Sequence, residues 1–383
     1  MQQRELEVFQ NLRGDNMIRI KDMKEEGKKV VGIYCAFCPS ELVLAADAIP
    51  VSLCGTKEEP IPAAEKDLPR NLCPLIKSSY GFAITDTCPF FYYSDVIIGE
   101  TTCDGKKKMF ELMENLKPVH VMQLPHRKNS DASMALWVEE IRELRKYLEK
   151  QLQVKITDDA IWKAVDLRNQ ERRAIKGICD LNKMDPAPLT GLELLTIVWA
   201  KGFSADKNSS IKMLNELKSS IMGEKNDHQK LQRYKPRRPR VLLTGCPTGM
   251  GSEKVIRLVE ELGASVVALE NCSSYKTLDL LVSTEKEDPI EALAESYLKI
   301  PCSCMSPNEY RFELIDSMIQ EFSADMVIDL TWQACHTYNI EAHYVEKLVK
   351  DKGLPYLHLE SDYSNSDLEI LKVRIEATLE MVK

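Results

Sequence analysis

Short apolar, β-branched runs recur near both ends of the chain, and segments of helical period separate most of them. Four runs come early: VVGIYC (30–35), PVSLC (50–54), DVIIGE (95–100) and PVHVMQL (118–124). Four come late: RVLLTGC (240–246), SVVALENC (265–272), DMVIDLT (325–331) and LPYLHLE (354–360). The intervening helical patterns include SELVLAADA and KKKMFELMENL in the first set, and SEKVIRLVEELG and EYRFELIDSMIQEFS in the second. Strands alternating with helices predict parallel sheets, and two such sets predict two similar doubly wound α/β domains.

The stretch between them, from about residue 130 to 235, is helical in period. DASMALWVEEIRELRKYLEKQL carries a Ser/Asp start and i,i+4 charge pairs, and TDDAIWKAVDLRNQERRAIKGI has an acidic N-terminus. Pro186 and Pro188 break the pattern, and RYKPRRPR (233–240) reads as a linker into the second sheet. The expected organisation is a first α/β domain over 1–128, a helical insertion attached to it over 129–235, and a second α/β domain over 236–383.

Composition narrows the class. The chain has 383 residues, 44% hydrophobic and 29% charged, which is ordinary for a water-soluble protein and long for one core. A net charge of −8 without a long basic tract argues against nucleic-acid binding. The first residues, MQQRELEVFQNLRGDNM, lack a signal-peptide core, and LELLTIVWA is too short to span a membrane. The expected location is the cytoplasm, where the twelve cysteines would not form structural disulfides.

The placement of those cysteines is informative. The first runs of the two sets end at Cys35 and Cys246, the second at Cys54 and Cys272, and the third are followed closely by Cys103 and Cys335. Ligands of open parallel sheets bind beyond the carboxyl ends of the strands, so two facing domains would direct several thiols into one cleft. A shared metal or cluster site is the expectation, against the alternative of six ordinary core cysteines. The spacing is neither that of a zinc ribbon nor that of a ferredoxin. CAFC (35–38) reads equally as a redox pair or as packing at a helix start, while PCSCMSP (301–307) puts two cysteines in a loop, where core packing explains them less well.

TTCDGKKKM (101–109) places three lysines in the first turn of an expected helix, where the helix dipole is already positive. Asp104 is the expected N-cap, with helix N–H groups directed at the site. Lys106, Lys107 and Lys108 would then face an anionic cluster, an anionic substrate or a protein partner. A solvated lysine face is an equally good reading of any one of them. TGCPTGMGSEK (244–254) follows a strand but lacks the Lys-Ser/Thr pair directly after Gly251, so it is not a P-loop. His336, beside Cys335, is a candidate proton donor, although a structural histidine is the commoner outcome. Glu100 and Glu270, placed at the ends of corresponding strands, are further catalytic candidates.

The segments RNLCPLIKSSYG, TTCDGKKKM, QACHTYNIE and GLPYLHLESDYSNSDLEILKVRIEATLEM together resemble the 2-hydroxyacyl-CoA dehydratase D-component family, in order and across nearly the whole chain. The resemblance implies two flavodoxin-like (Rossmann-like) domains with an iron–sulfur cluster in the cleft between them. It also implies that Cys73, Cys103 and Cys335 hold a 4Fe-4S cubane. YCAFCPSE (34–41), Cys272 in ENCSS and the Cys302/Cys304 pair resemble the double-cubane-cluster reductase branch more closely. For that branch the resemblance implies a homodimer with an 8Fe-9S double cubane and a separate ATP-hydrolysing iron–sulfur activator that supplies low-potential electrons. Cys272, Cys302 and Cys304 are then the expected ligands of the second cubane, with Cys35 in reserve. Cys246 either shares that position or packs beneath the Gly-rich turn, Cys38 and Cys54 pack nearby, and Cys88 and Cys179 lie apart. The leading functional expectation is an ATP-dependent reductase component acting on a small substrate. A 2-hydroxyacyl-CoA dehydratase subunit with one 4Fe-4S cluster comes second and a non-enzymatic metal-binding scaffold third.

Overall fold

The architecture is that of a computed structural model, which describes residues 2–232 and 237–382. All eight apolar runs form strands: β1 (Val30–Ile33), β2 (Ile49–Ser52), β3 (Val96–Glu100), β4 (Val119–Met122), β5 (Arg240–Gly245), β6 (Ser265–Glu270), β7 (Met326–Trp332) and β8 (Tyr356–Ser361). They make two four-stranded sheets, ordered β2-β1-β3-β4 and β6-β5-β7-β8, and every pairing is parallel. The chain thus builds the same doubly wound order twice, each with a switch point where β1 meets β3 or β5 meets β7. Residues 233–236 of the expected linker lie outside the described residues, and its last residue, Arg240, already opens β5.

The strands are apolar on both sides because both faces are covered. Along β3, Ile97 joins one apolar cluster while Val96 and Ile98 join the other, as the period of two requires. The first cluster runs on into the second sheet through Leu242, Val327 and Leu359. Each fully buried aliphatic side chain of this kind stabilises the fold by about 1.5–3 kcal/mol.

The helical stretch has well-marked starts. Ser130 and Thr157 cap the helices Asp131–Leu152 and Asp158–Cys179 by accepting the N–H groups of Ser133 and Ala160. Thr190 and Glu193 form a capping box on the helix Gly191–Ala200. That helix packs against β6, while Asp131–Leu152 packs against β4. Gly191 permits the close approach, since a Cβ there would stand 2.5 Å from Val266 Cβ. Among the described residues no helix is long and apolar enough to cross a membrane.

Candidate metal centre between the two sheets

The six strand-end cysteines follow one rule. Cys35, Cys54 and Cys272 come two residues after β1, β2 and β6, and Cys246 comes one residue after β5. Cys103 and Cys335 come three residues after β3 and β7. At the end of β5 the chain turns sharply at Gly245 (φ +118°), where a Cβ would meet the Leu330 carbonyl oxygen at 2.2 Å. A cavity of about 1110 Å³ lies at these carboxyl ends, and ten of the twelve cysteines line it. None of the twelve is in a disulfide.

The sulfurs fall into two groups. In the first, Cys335 accepts hydrogen bonds from the thiols of Cys246 and Cys73. Those two donors, the Tyr338 N–H and the Thr337 hydroxyl hold its pKa well below that of an ordinary thiol, against burial. Cys73 is pushed up by its bond to Cys335 and by burial, and Cys246 by burial and then that bond. Cys246 Sγ also accepts the Trp332 N–H at 3.3 Å. In the second group, Cys304 donates to Cys302 and lowers its pKa. Cys35 and Cys272 act electrostatically on that pair. Burial drives Cys272 up to about 12. Cys103 feels both Cys335 and Cys302, and so stands between the groups.

Cys73, Cys103 and Cys335 each occupy the N-cap position of a helix, namely Pro74–Ile84, Asp104–Met113 and His336–Asp351. The Asp104 cap expected from the sequence is therefore corrected by one residue. Cys103 is the extended residue (φ −149°) before the helix, and Asp104 is its first helical residue. Three helix N-termini thus converge on the cavity, each presenting a sulfur in front of a positive dipole end. The N–H groups of Leu75, Ile76, Lys106 and Tyr338 favour the charged forms of these three sulfurs, opposing burial.

The three lysines separate. Lys107 and Lys108 are exposed and pair with Asp104 and Glu111. Lys106 turns inward and donates to the Tyr34 carbonyl at 3.0 Å. Burial opposes its charge, yet Cys35, Cys54, Glu100 and Cys103 around it raise its pKa. Cys54 donates to the same Tyr34 carbonyl at 2.8 Å. Cys38 is buried on the cavity wall, whereas Cys88 and Cys179 lie outside it.

The three catalytic candidates lie in different settings. His336 is exposed, on the cavity wall, as the first residue of its helix. Glu100 and Glu270 are fully buried and do not line the cavity. They also do not end corresponding strands: Glu100 ends the interior strand β3, while Glu270 ends the edge strand β6. Burial pushes the Glu100 pKa up to about 7, against the Lys106 ammonium and the Cys38 N–H. Glu270 belongs to a buried ionic network with Lys276 Nζ at 3.3 Å, Arg311 Nε at 3.4 Å and the Thr244 hydroxyl. Arg311 also pairs with Glu341 and donates to Thr244 Oγ1 at 3.0 Å.

Nothing in the sequence pointed to Lys276 or Arg311. Both are polar residues in or beside helical segments whose burial depends on distant strands. Lys254, after the Gly-rich turn, is held by Asp367 and the Ser364 carbonyl. Among the described residues no three His, Cys, Asp or Glu side chains close on a single metal ion.

Sequence comparison places these features among known proteins. The profile of the family described as 2-hydroxyglutaryl-CoA dehydratase, D-component, matches residues 35–382. YjiM of Escherichia coli, named as a candidate dehydratase subunit, is 46% identical over 375 residues, which is 98% of this chain and 97% of YjiM. The (R)-phenyllactyl-CoA dehydratase beta subunit of Clostridium sporogenes is 25% identical, over 94% of this chain and 93% of its own length. A benzoyl-CoA reductase subunit of Thauera aromatica is more distant, at 19% identity over 92% of this chain and 90% of its own length.

Proposed function

The chain belongs to the 2-hydroxyglutaryl-CoA dehydratase D-component family, and on that premise we propose that it is the iron–sulfur reductase component of an enzyme that reduces a small substrate at low potential. The observation that carries this reading is the presence of two groups of sulfurs in one cavity, on which three helix N-termini converge at Cys73, Cys103 and Cys335. An all-thiol donor set suits iron–sulfur clusters or zinc. Ligands to one zinc ion must converge on a point, whereas cysteines on a cluster bind different irons and need not converge. Ten cavity thiols in two groups are more than one zinc ion takes and suit the second arrangement.

In this reading Cys73, Cys103 and Cys335 hold one cubane, and Cys302, Cys304 and Cys272 hold the second, joined in an 8Fe-9S double cubane. Cys35 stands beside the second set and Cys246 beside the first. When bound, the cluster supplies single electrons at low potential. The protein's own groups prepare the site. Helix N-termini and the Lys106 ammonium favour the thiolate forms, and the apolar strands beneath exclude water. Glu100, fully buried next to Lys106, is held where it can carry a proton near neutral pH.

In this reading the electrons come from a separate ATP-hydrolysing iron–sulfur activator; the absence of a P-loop Lys-Ser/Thr pair after Gly251, with Lys254 tied to Asp367, supports it. The working unit is a homodimer. A second reading, a 2-hydroxyacyl-CoA dehydratase subunit with one 4Fe-4S cluster, is favoured by the names of the dehydratase relatives. Anaerobic purification followed by iron and sulfide analysis separates the two. About eight irons per chain support the reductase, and about four support the dehydratase subunit.

A further inference from the structure

One wall of the cavity, built by helices outside the two sheets, is electrostatically unbalanced. The helix Asp158–Cys179 brings Arg168, Glu171 and Arg172 to it, and the next segments bring Lys201 and Lys207. Arg172 is matched: its Nη2 lies 2.8 Å from Glu41 Oε1 and donates to the Tyr297 hydroxyl at 2.9 Å. Glu171 is shared between Arg168 and Lys207, the latter at 3.2 Å. Lys201 has no carboxylate partner among the described residues, and its ammonium reaches only Thr277 Oγ1, at 3.5 Å. Arg168 Nε is buried with no hydrogen-bond partner. Four basic side chains therefore face two carboxylates, and two donor groups at the cavity are left over; burial pushes the pKa of Lys207 well down, as it does that of Lys201.

A half-buried ammonium on a cavity wall without a counter-charge must either give up its proton or take up an anion, so the wall offers a place for an anionic ligand. The sulfurs are not that ligand, because Lys106 and Lys276 already act on them. The charges that act most strongly on Lys201 are Arg168, Cys179, Lys207 and Arg172, none of them a cavity cysteine. We propose that Lys201 and Arg168, backed by Lys207 and Arg172, form an oxyanion-binding subsite that holds a carboxylate or phosphate group of the small substrate.

The volume of about 1110 Å³ leaves room for such a molecule beside the sulfur-lined end. Thr277, which also donates to the Cys272 carbonyl at 3.3 Å, links the subsite to the second sulfur group. The subsite deepens the functional reading above and rests on it only in calling the bound anion a substrate.

Burial, with the Arg168 guanidinium next, lowers Lys201 to about 7. The groups facing it are Arg168, Arg172 and Cys179 on one helix, Lys207 on the next, and Thr277. An oxyanion restores the proton, so binding takes up protons and weakens as pH rises above about 7.

The test is isothermal titration of the full chain, purified anaerobically, with inorganic phosphate in one arm and acetate in the other. The proteins are wild type, Lys201→Met, Lys201→Arg, and Lys176→Met as a cation control outside the cavity. Stoichiometric binding of one anion is expected, weakened at least tenfold in Lys201→Met, retained in Lys201→Arg and Lys176→Met, and accompanied by proton uptake at pH 7.5. Whichever arm binds assigns the carboxylate or the phosphate. Thermal melting without added anion should place Lys201→Met above wild type, since the cost of desolvating or neutralising that lysine is gone, and the anion-dependent rise in Tm should vanish. No stoichiometric binding of either anion, or equal binding by Lys201→Met, overturns the subsite. A fall in iron content in Lys201→Met assigns the lysine to the cluster and overturns it too. Iron-free wild type that still binds the anion leaves the subsite standing and removes the reductase reading instead.

Discussion

The two sulfur groups share one cavity but are charged by different means. In the first, the Cys246 and Cys73 thiols donate to Cys335, and backbone adds to this: Cys73, Cys335 and the intermediate Cys103 sit at helix N-termini, where amide N–H groups favour their thiolates. The second is served by side chains. Cys302 and Cys304 lie in a loop; the Cys304 thiol and then Lys276 lower the pKa of Cys302, while Lys276 and Lys106 oppose the burial that raises those of Cys272 and Cys35. Backbone dipoles are fixed once the strand–turn–helix units form. Side-chain cations must be held in place by something else. Lys276 is held by Glu270, Tyr338 and the Gly245 carbonyl, so the second group depends on a buried ionic network that the first does not need.

This contrast can be broken at four points. The largest effect should come from Cys73→Ala, Cys103→Ala or Cys335→Ala, each removing most of the cluster absorbance and iron while far-ultraviolet circular dichroism keeps its α/β signature. Full iron retention in all three variants would remove the first group from the metal centre. Next, Arg311→Met leaves Glu270, Asp329 and Glu341 buried with less compensation. A stability loss of about 3–5 kcal/mol in equilibrium denaturation is expected. A loss below about 1 kcal/mol would mean that the network holds nothing in place.

The Cys302→Ser/Cys304→Ser double variant should then cut iron by about half. The first group should keep its own iron because its helix caps are untouched. Unchanged iron and sulfide would show that the loop supplies no ligand and would favour the single-cluster dehydratase reading. The smallest effect belongs to Lys107→Ala/Lys108→Ala, whose side chains are solvated. Stability should move by no more than about 0.5 kcal/mol and iron content not at all. Lys106→Met in the same assay should weaken cluster retention, and if the three lysines prove equivalent, the assignment of Lys106 alone to the sulfurs fails.

Much of the fold was legible because its signals are local. The eight apolar runs predicted eight strands, and all eight formed within a few residues of their expected ends. The starts of the helices Asp131–Leu152 and Asp158–Cys179 were also visible, from a Ser/Asp start and an acidic N-terminus, since such signals are local. The sequence also placed cysteines at equivalent strand ends, because parallel sheets repeat their geometry. Asp104 was misplaced by one position because a cysteine is not an expected cap and the adjacent aspartate is. Glu100 and Glu270 were wrongly paired because strand order in the sheet is not written in the order of the runs.

What the sequence determined by itself was the set of elements, their parallel character and the chemistry available at their ends, all consequences of periodicity and short-range steric rules. Tertiary structure decided which charges are matched. It turned Lys106 inward and left Lys107 outside, although the two are adjacent and identical. It closed Arg311 around carboxylates from β6, β7 and the helix His336–Asp351. Among the described residues it left Lys201 without a carboxylate partner at the cavity wall, reaching only Thr277. Charge compensation depends on burial and on distances between residues far apart in the chain, and no local pattern encodes either quantity.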